Sequence, residues 1–434
     1  MCIYHLPSPS QKEPFGSLAE RKFHSTPVSL GLGNSPPPPP PSTAKMLLPI
    51  ISTLTLAGFA SAAIHNLFVG NLGNPALMYS LEFNDETHSL TRIETITADA
   101  SHAWLTFDHN KQNIYGASLG KSRIASYKVA SPTTVKLTHA VEASGACHNT
   151  TSAFVEAQTW PPYTVYSVSW PGPNACGMAI GVDPASGALT EVKQSWKFAS
   201  ASGVHGLALG RRGGSNDTYI YSADLSGDAV WTHRADAETG KVTQVGKKVM
   251  PREKMHPRHI RVHPNGTYVY VLMEAANSLV SWSLDAETGA ASVAGKEYSL
   301  IPKGADTAKY WSAEVMLSPS GRYLWATARA QRGTAIVGYI SVYLLAADGA
   351  IVKRMMQVPT TTTGGWANAI TPAFWSDEYA ALADTPKGYV EVWKLSDPTT
   401  TADGVEYATL KAVAHVGLQA EEASGCCANA IWYS

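Results

Sequence analysis

One phrase returns seven times along this chain of 434 residues: a short apolar strand whose N-terminal end carries a small or polar residue. Its fullest copies are Val204-His205-Gly206-Leu207-Ala208-Leu209 and Pro257-Arg258-His259-Ile260-Arg261-Val262. The others are centred on Leu105, Phe154, Val315, Ile370 and Ile431, so successive centres lie 49, 53, 53, 55, 55 and 61 residues apart. A strand-bearing unit that recurs about every fifty residues cannot bury its own faces and has to stack on its neighbours. The spacing predicts an all-β fold, a seven-bladed β-propeller with one inner strand per repeat.

The two ends of the chain support the count. After residue 64 come three strand-like runs, His65–Gly70, Ala76–Phe83 and Ser89–Glu94, with no copy of the phrase before them. The last copy, Asn429-Ala430-Ile431-Trp432-Tyr433, is followed only by Ser434. Pairing these ends completes one blade and removes the free sheet edges of an open array. Between repeats the sequence keeps a template of turn, aromatic-rich second strand and third strand. An outer hairpin such as Asp236-Ala237-Glu238-Thr239-Gly240 or Asp285-Ala286-Glu287-Thr288-Gly289 follows. Pro and Gly in such turns supply the backbone angles that tight hairpins need. No stretch carries a convincing helical period.

Residues 1–45 contain an unbroken proline run, Pro36 to Pro41, and read as an extended leader or an upstream artefact, with Met46 as the start. Residues 46–63 combine an apolar core with the small residues Ala60-Ser61-Ala62-Ala63 and read as a secretory signal. The propeller is then 64–434, expected to be secreted, or cytoplasmic if the signal is not used. Thirty-three basic residues against 34 acidic ones give no case for nucleic acid, and no membrane contact is expected after signal cleavage. Beyond the leader remain Cys147, Cys176, Cys426 and Cys427, an even number suited to an oxidising compartment. Cys147 with Cys176 is the sequence-local pairing, and a bridge from Cys147 to Cys426 or Cys427 would cross the channel mouth. Bonding between the adjacent pair is disfavoured by disulfide geometry. No C-x-x-C pair is present, so metal ligation is not indicated. Three N-x-S/T sequons, at Asn149, Asn216 and Asn265, suit a glycosylated surface.

Register selects the candidate site. Two positions before each centre stand Ala103, Ser152, His205, Arg258, Ala313, Asn368 and Asn429. In an up-and-down blade, the start of the first strand and the end of the second share a face of the disk. His205 and Arg258 occupy starts; Glu274 and Arg329 occupy second-strand ends in consecutive blades. These four are expected to ring one mouth of the channel, where propellers bind ligands. Taken singly they have plainer readings. His205 beside glycine suits a turn, and Arg258 and Arg329 could pair with Glu274 as structural ions.

Gly203-Val204-His205-Gly206, Trp231-Thr232-His233-Arg234, His256-Pro257-Arg258, Leu272-Met273-Glu274-Ala275 and Asn429-Ala430-Ile431-Trp432-Tyr433 together carry a resemblance. From His65 to Tyr433 the chain is similar to the fungal carboxy-cis,cis-muconate cyclase (3-carboxymuconate lactonizing) family, among the seven-bladed lactonase propellers. The resemblance implies a cycloisomerase without metal or cofactor whose site residues fall on His205, Arg258, Glu274 and Arg329. Arginines suit a carboxylate substrate because the guanidinium fork binds it bidentately. His205 or Glu274 would supply the proton as general acid, and Trp366, Asn368 and Asn429 would add substrate contacts. Two departures stand out. The family's Gly-Gly-His at the sixth inner strand reads Gly364-Gly365-Trp366 here, and at the second the loop is Gly145-Ala146-Cys147-His148. A rim with Trp366 is less polar than one built for a trianion. The expected partner is a small carboxylate or lactone. A lactone hydrolase and a non-catalytic binding propeller are the other readings.

Overall fold

The structure is a computed structural model that describes residues 63–212, 214–365, 369–385, 387–400, 406–418 and 425–434. Among these residues, twenty-eight strands form seven four-stranded antiparallel sheets. Numbered in chain order, the inner strands are β4 (His102–Phe107), β8 (Ser152–Ala157), β12 (Val204–Arg212), β16 (Pro257–Val262), β20 (Tyr310–Leu317), β24 (Ala369–Pro372) and β28 (Cys426–Trp432). Each contains one of the seven predicted centres. Among the described residues, helix is confined to two single turns, Gly145–Cys147 and Thr307–Lys309.

Blade 1 is built from both ends of the chain, in the order β28, β1 (Ile64–Asn71), β2 (Leu77–Asn84), β3 (Ser89–Thr97). Leu67 pairs with Trp432, Phe68 with Ile431 and Val69 with Ala430. The Ser434 hydroxyl accepts from the Asn66 N–H at 3.0 Å, beyond the last paired residue. Blades 2 to 7 follow in sequence, each with its inner strand at one edge of its sheet.

Burial explains the composition of each strand type. Second strands lie between neighbouring blades and are covered on both faces, so β21 (Tyr323–Ala330) and β5 (Asn113–Ser118) are buried throughout. Such strands need near-continuous small, aliphatic and aromatic residues, not alternation. The fourth strands are mostly solvated; β15 (Val242–Val249) buries only Val242. The core is therefore a set of wedges between blades. In one, Tyr221 and Val230 of blade 4 meet Val269, Val271 and Trp282 of blade 5.

Neighbouring blades are also tied by hydrogen bonds. In the outer hairpin of blade 5, Asp285 Oδ1 accepts from Glu287 N–H at 3.1 Å, Thr288 N–H at 2.7 Å and Thr288 O–H at 2.8 Å. Gly289 closes that turn at φ 72°, which favours glycine. Its carbonyl accepts from the hydroxyl of Tyr221 in blade 4 at 2.9 Å. The same tie joins Tyr115 to Gly187 at 2.6 Å and Tyr270 to Gly349.

Cys147 is bonded to Cys176 within blade 3, the sequence-local pairing. Cys426 and Cys427 are bonded to each other, which corrects the expectation that adjacent cysteines stay apart. Their peptide bond is cis and their Cα atoms lie 3.0 Å apart. With Cys147 engaged in its own blade, no bridge crosses the mouth.

Candidate active site

The inner strands and the residues that follow the second strands enclose a cavity of about 430 Å³ at one mouth of the propeller. Leu72, Leu119, Trp170 and Glu274 each donate their N–H to a carbonyl just ahead of an inner strand: Gly425, Ser101, Thr151 and His256. They therefore hold one register around the ring, shared with Leu225, Arg329 and Thr385, and all seven line the cavity. The two halves of that ring differ. Blades 1 to 4 contribute Leu72, Leu119, Trp170 and Leu225, whereas blades 5 and 6 contribute Glu274 and Arg329.

The charged half is closely knit. Glu274 Oε2 accepts from Arg329 Nη2 at 2.9 Å and lies 2.9 Å from Arg258 Nε. That second contact is ionic, since Nε lies outside hydrogen-bond geometry. Arg258 also donates from Nη1 to the Ala313 carbonyl of β20. The Arg329 guanidinium stands 5.5 Å from the Trp311 ring. Both arginines are more than nine-tenths buried. Burial pushes the proton affinity of both guanidiniums down, and Arg258 adds to the effect on Arg329. An arginine stays charged under such pressure, so the environment favours an anion beside it. Two guanidiniums to one carboxylate is the balance among the described lining residues.

His205 lines the same cavity from β12 and leads into the wall. Its Nδ1 lies 3.1 Å from Nε2 of His259 in β16. The His259 Nδ1 lies 2.5 Å from Oε2 of Glu314 in β20, and the other Glu314 oxygen accepts from the Val315 N–H at 3.0 Å. Trp104 and Phe154 close edge-on around His259, with ring centres 5.1 Å and 5.4 Å away. Burial, then the charge of Arg258, hold both imidazoles well below the ordinary histidine value. Burial pushes the Glu314 carboxyl up to about 7 against the pull of Arg261 and Arg258. Gly206 makes the approach possible. A Cβ there would lie 2.7 Å from the Arg258 carbonyl and 2.8 Å from His259 Cδ2.

The structure thus brings His205, Arg258, Glu274 and Arg329 to one cavity, and the pairing of both arginines with Glu274 is present as well. Asn429 also lines the wall, but its amide is engaged by β4, accepting from the Leu105 N–H at 2.8 Å and donating to the Leu105 carbonyl at 2.9 Å. It ties the closing strand to blade 2, so its amide has a structural task where a substrate contact was expected. Trp366 and Asn368 lie outside the described residues. His259 and Glu314 escaped the sequence reading. They stand one position nearer their strand centres than His205 and Arg258, as two ionisable residues in adjacent repeats at a register otherwise filled by Trp104, Ala153, Gly206, Ala369 and Ala430. The sequons at Asn149, Asn216 and Asn265 are all exposed.

Comparison with known proteins agrees with this architecture. Residues 66–366 match the family described as Lactonase, 7-bladed beta-propeller. The chain is 33% identical over 349 residues to a carboxy-cis,cis-muconate cyclase of Neurospora crassa, covering 77% of this chain and 93% of that protein. It is 26% identical to muconate cycloisomerase 1 of Cutaneotrichosporon cutaneum, covering 76% and 90%. Among solved structures, the periplasmic gluconolactonase of Pseudomonas aeruginosa superposes with a TM-score of 0.64 at 14% identity, over 85% of this chain and 99% of that one, a likeness of fold. On the family match and the Neurospora relative together, this chain belongs to the seven-bladed lactonase β-propellers.

Proposed function

We propose that the chain is a cycloisomerase that closes an unsaturated carboxylate such as 3-carboxymuconate to its lactone. The observation that carries this reading is the pair Arg258 and Arg329, each 2.9 Å from one Glu274 oxygen on the wall of a cavity beside His205. In the reaction one substrate carboxylate adds across a double bond. A C–O bond forms, the π pair moves to the carbon beside a second carboxylate, and that carbon takes a proton. Arg258 and Arg329 would hold the acceptor carboxylate and stabilise the charge that develops on it. Glu274 fixes both guanidiniums in place. The 33% identical cyclase of Neurospora supports the same chemistry.

Incubation of the purified protein with 3-carboxymuconate is expected to remove the diene absorbance. Arg258→Ala and Arg329→Ala should each lower kcat/KM by roughly 10- to 150-fold, since a hydrogen bond to a charged group is worth about 1.5–3 kcal/mol. Unaltered kinetics in both variants would refute the site.

A second reading, hydrolysis of a small carboxylated lactone, draws on the apolar half of the ring, where Leu72, Leu119, Trp170 and Leu225 offer nothing to a trianion. It predicts turnover across a panel of lactones and none of carboxymuconate. Binding of these compounds without turnover would leave a non-catalytic propeller. We also propose that the protein is exported and glycosylated. The apolar run at 46–63, the bond between Cys147 and Cys176 and the exposed sequons support this. N-terminal sequencing of the protein from its host, with glycosidase treatment, tests it.

A further inference from the structure

We propose that Glu314, His259 and His205 form a relay that stores one proton in the propeller wall and delivers it to the carbon of the closing lactone. The inference rests on the cycloisomerase reading for its substrate, and on the three side chains themselves for its geometry. They come from three consecutive blades and touch in series: Glu314 Oε2 to His259 Nδ1 at 2.5 Å, then His259 Nε2 to His205 Nδ1 at 3.1 Å. His205 and His259 both line the cavity, but Glu314 is fully buried and His259 is only 2% exposed, so His205 is the most open of the three. The His205 Nε2 has no hydrogen-bond partner among the described residues, so it is the atom left to meet a substrate.

A line of two imidazoles ending in a carboxyl group has two arrangements in which both rings stay neutral, and they differ by one proton on the carboxyl group. In the loaded one, Glu314 is a carboxylic acid donating to His259 Nδ1, His259 donates from Nε2 to His205 Nδ1, and His205 carries its proton on Nε2. In the discharged one, Glu314 is a carboxylate, both imidazoles carry their protons on Nδ1, and His205 Nε2 is a bare base. Passing from one to the other moves a proton out of the wall without forming an imidazolium. That suits the surroundings, because Arg258, Arg261 and Arg329 all disfavour a charged ring at His259. The groups around the Glu314–His259 pair are Arg258 and Arg261 from β16, Arg329 from β21, Glu156 from β8 and His205 from β12. Against that set the Glu314 carboxyl is held near 7, where it is partly protonated at neutral pH.

The balance is complete. Lactone closure turns one carboxylate into an ester oxygen and places one proton on carbon, so each turnover consumes one proton. His205 Nε2–H goes to the carbon, the His259 Nε2 proton moves to His205 Nδ1, and the Glu314 proton moves to His259 Nδ1. Once the lactone leaves, water in the cavity returns a proton to His205 Nε2 and the line resets. His205 is the catalytic residue; His259 and Glu314 act through it.

Glu314→Gln keeps a donor facing His259 but removes the acid. It is expected to lower kcat on the order of a hundredfold, the scale of general acid catalysis, with little change in KM. Wild-type kcat should be level below pH 7 and fall as pH rises through about 7, as Glu314 loses its proton. That limb should vanish in Glu314→Gln. Infrared difference spectroscopy of the resting protein provides a test without turnover, through a protonated carboxyl stretch that titrates near pH 7 and is missing in Glu314→Gln. Absence of that band in the folded wild type overturns the relay whatever the substrate. A Glu314→Gln enzyme with wild-type kcat and pH profile overturns it equally. A wild type that shows the band but leaves carboxymuconate untouched overturns the substrate reading and retains the relay.

Discussion

At the scale of single residues, the site depends on a side chain that is missing. Gly206 sits between His205 and Leu207, where β12 and β16 come close enough for two imidazoles to meet at 3.1 Å. A methyl group there would press on the Arg258 carbonyl at 2.7 Å and on the His259 ring at 2.8 Å. Gly206→Ala is therefore expected to cost about 1–3 kcal/mol of stability, the usual range for overpacking, and to impair turnover as well. Gly246→Ala is the control: its Cβ would meet nothing nearer than 3.5 Å, so neither property should fall. Thermal unfolding and kinetics of the two variants check this, and equal behaviour would contradict the packing argument. Glu274 likewise holds its neighbours in place, since one of its oxygens serves both arginines.

At the scale of elements, three neighbouring blade pairs are fastened by a second-strand tyrosine that reaches the glycine of the following outer hairpin. Tyr221 donates to Gly289 at 2.9 Å and is itself fully buried. Removing its hydroxyl leaves a buried carbonyl without that donor. Tyr221→Phe should cost about 1 kcal/mol, near the mean for a buried hydrogen bond, and leave turnover alone because the tie lies away from the cavity. Chemical denaturation beside steady-state kinetics measures both effects. These elements were legible in the sequence because inner strands and turns repeat their residue types at fixed spacing. His205, Arg258, Glu274 and Arg329 were legible as polar breaks in apolar strands at one end of the disk. His259 and Glu314 were not, because they lie one residue further along, where both side chains are buried behind His205 and Arg258. Polarity at that depth shows its purpose only when the adjacent strand is placed against it. The cysteine pairing was legible in part: Cys147 and Cys176 follow sequence proximity, whereas the Cys426–Cys427 bond depends on a backbone geometry that spacing does not encode.

For the whole molecule, ring closure and buried histidines set the response to acid. His102 is fully buried, with Nε2 2.6 Å from the Tyr127 hydroxyl, and burial lowers it to about 4. His205 and His259 are depressed in the same direction. A histidine held neutral in the fold contributes stability that is complete above about 6.5 and lost as pH falls toward the folded value. For His102 that loss is about 3 kcal/mol across the interval. Glu314 works the other way, its contribution present below about 4.5 and lost as pH rises toward 7. His233 is depressed as well, and Asp85 and Glu297 are depressed carboxyls that also lose stability toward acid, against the three raised carboxyls Glu156, Glu314 and Asp384, so the acid side should dominate. The melting temperature is expected to fall below pH 6.5, and His102→Gln should flatten part of that fall.

The most direct measurement of the central claim is a crystal structure of the protein with the carboxymuconate lactone bound. The expected result is a lactone in the cavity, one carboxylate held by Arg258 and Arg329, and the carbon beside it within hydrogen-bonding reach of His205 Nε2. A lactone seated elsewhere, or one whose carboxylate turns toward Leu119 and Leu225 and away from the arginines, would contradict it.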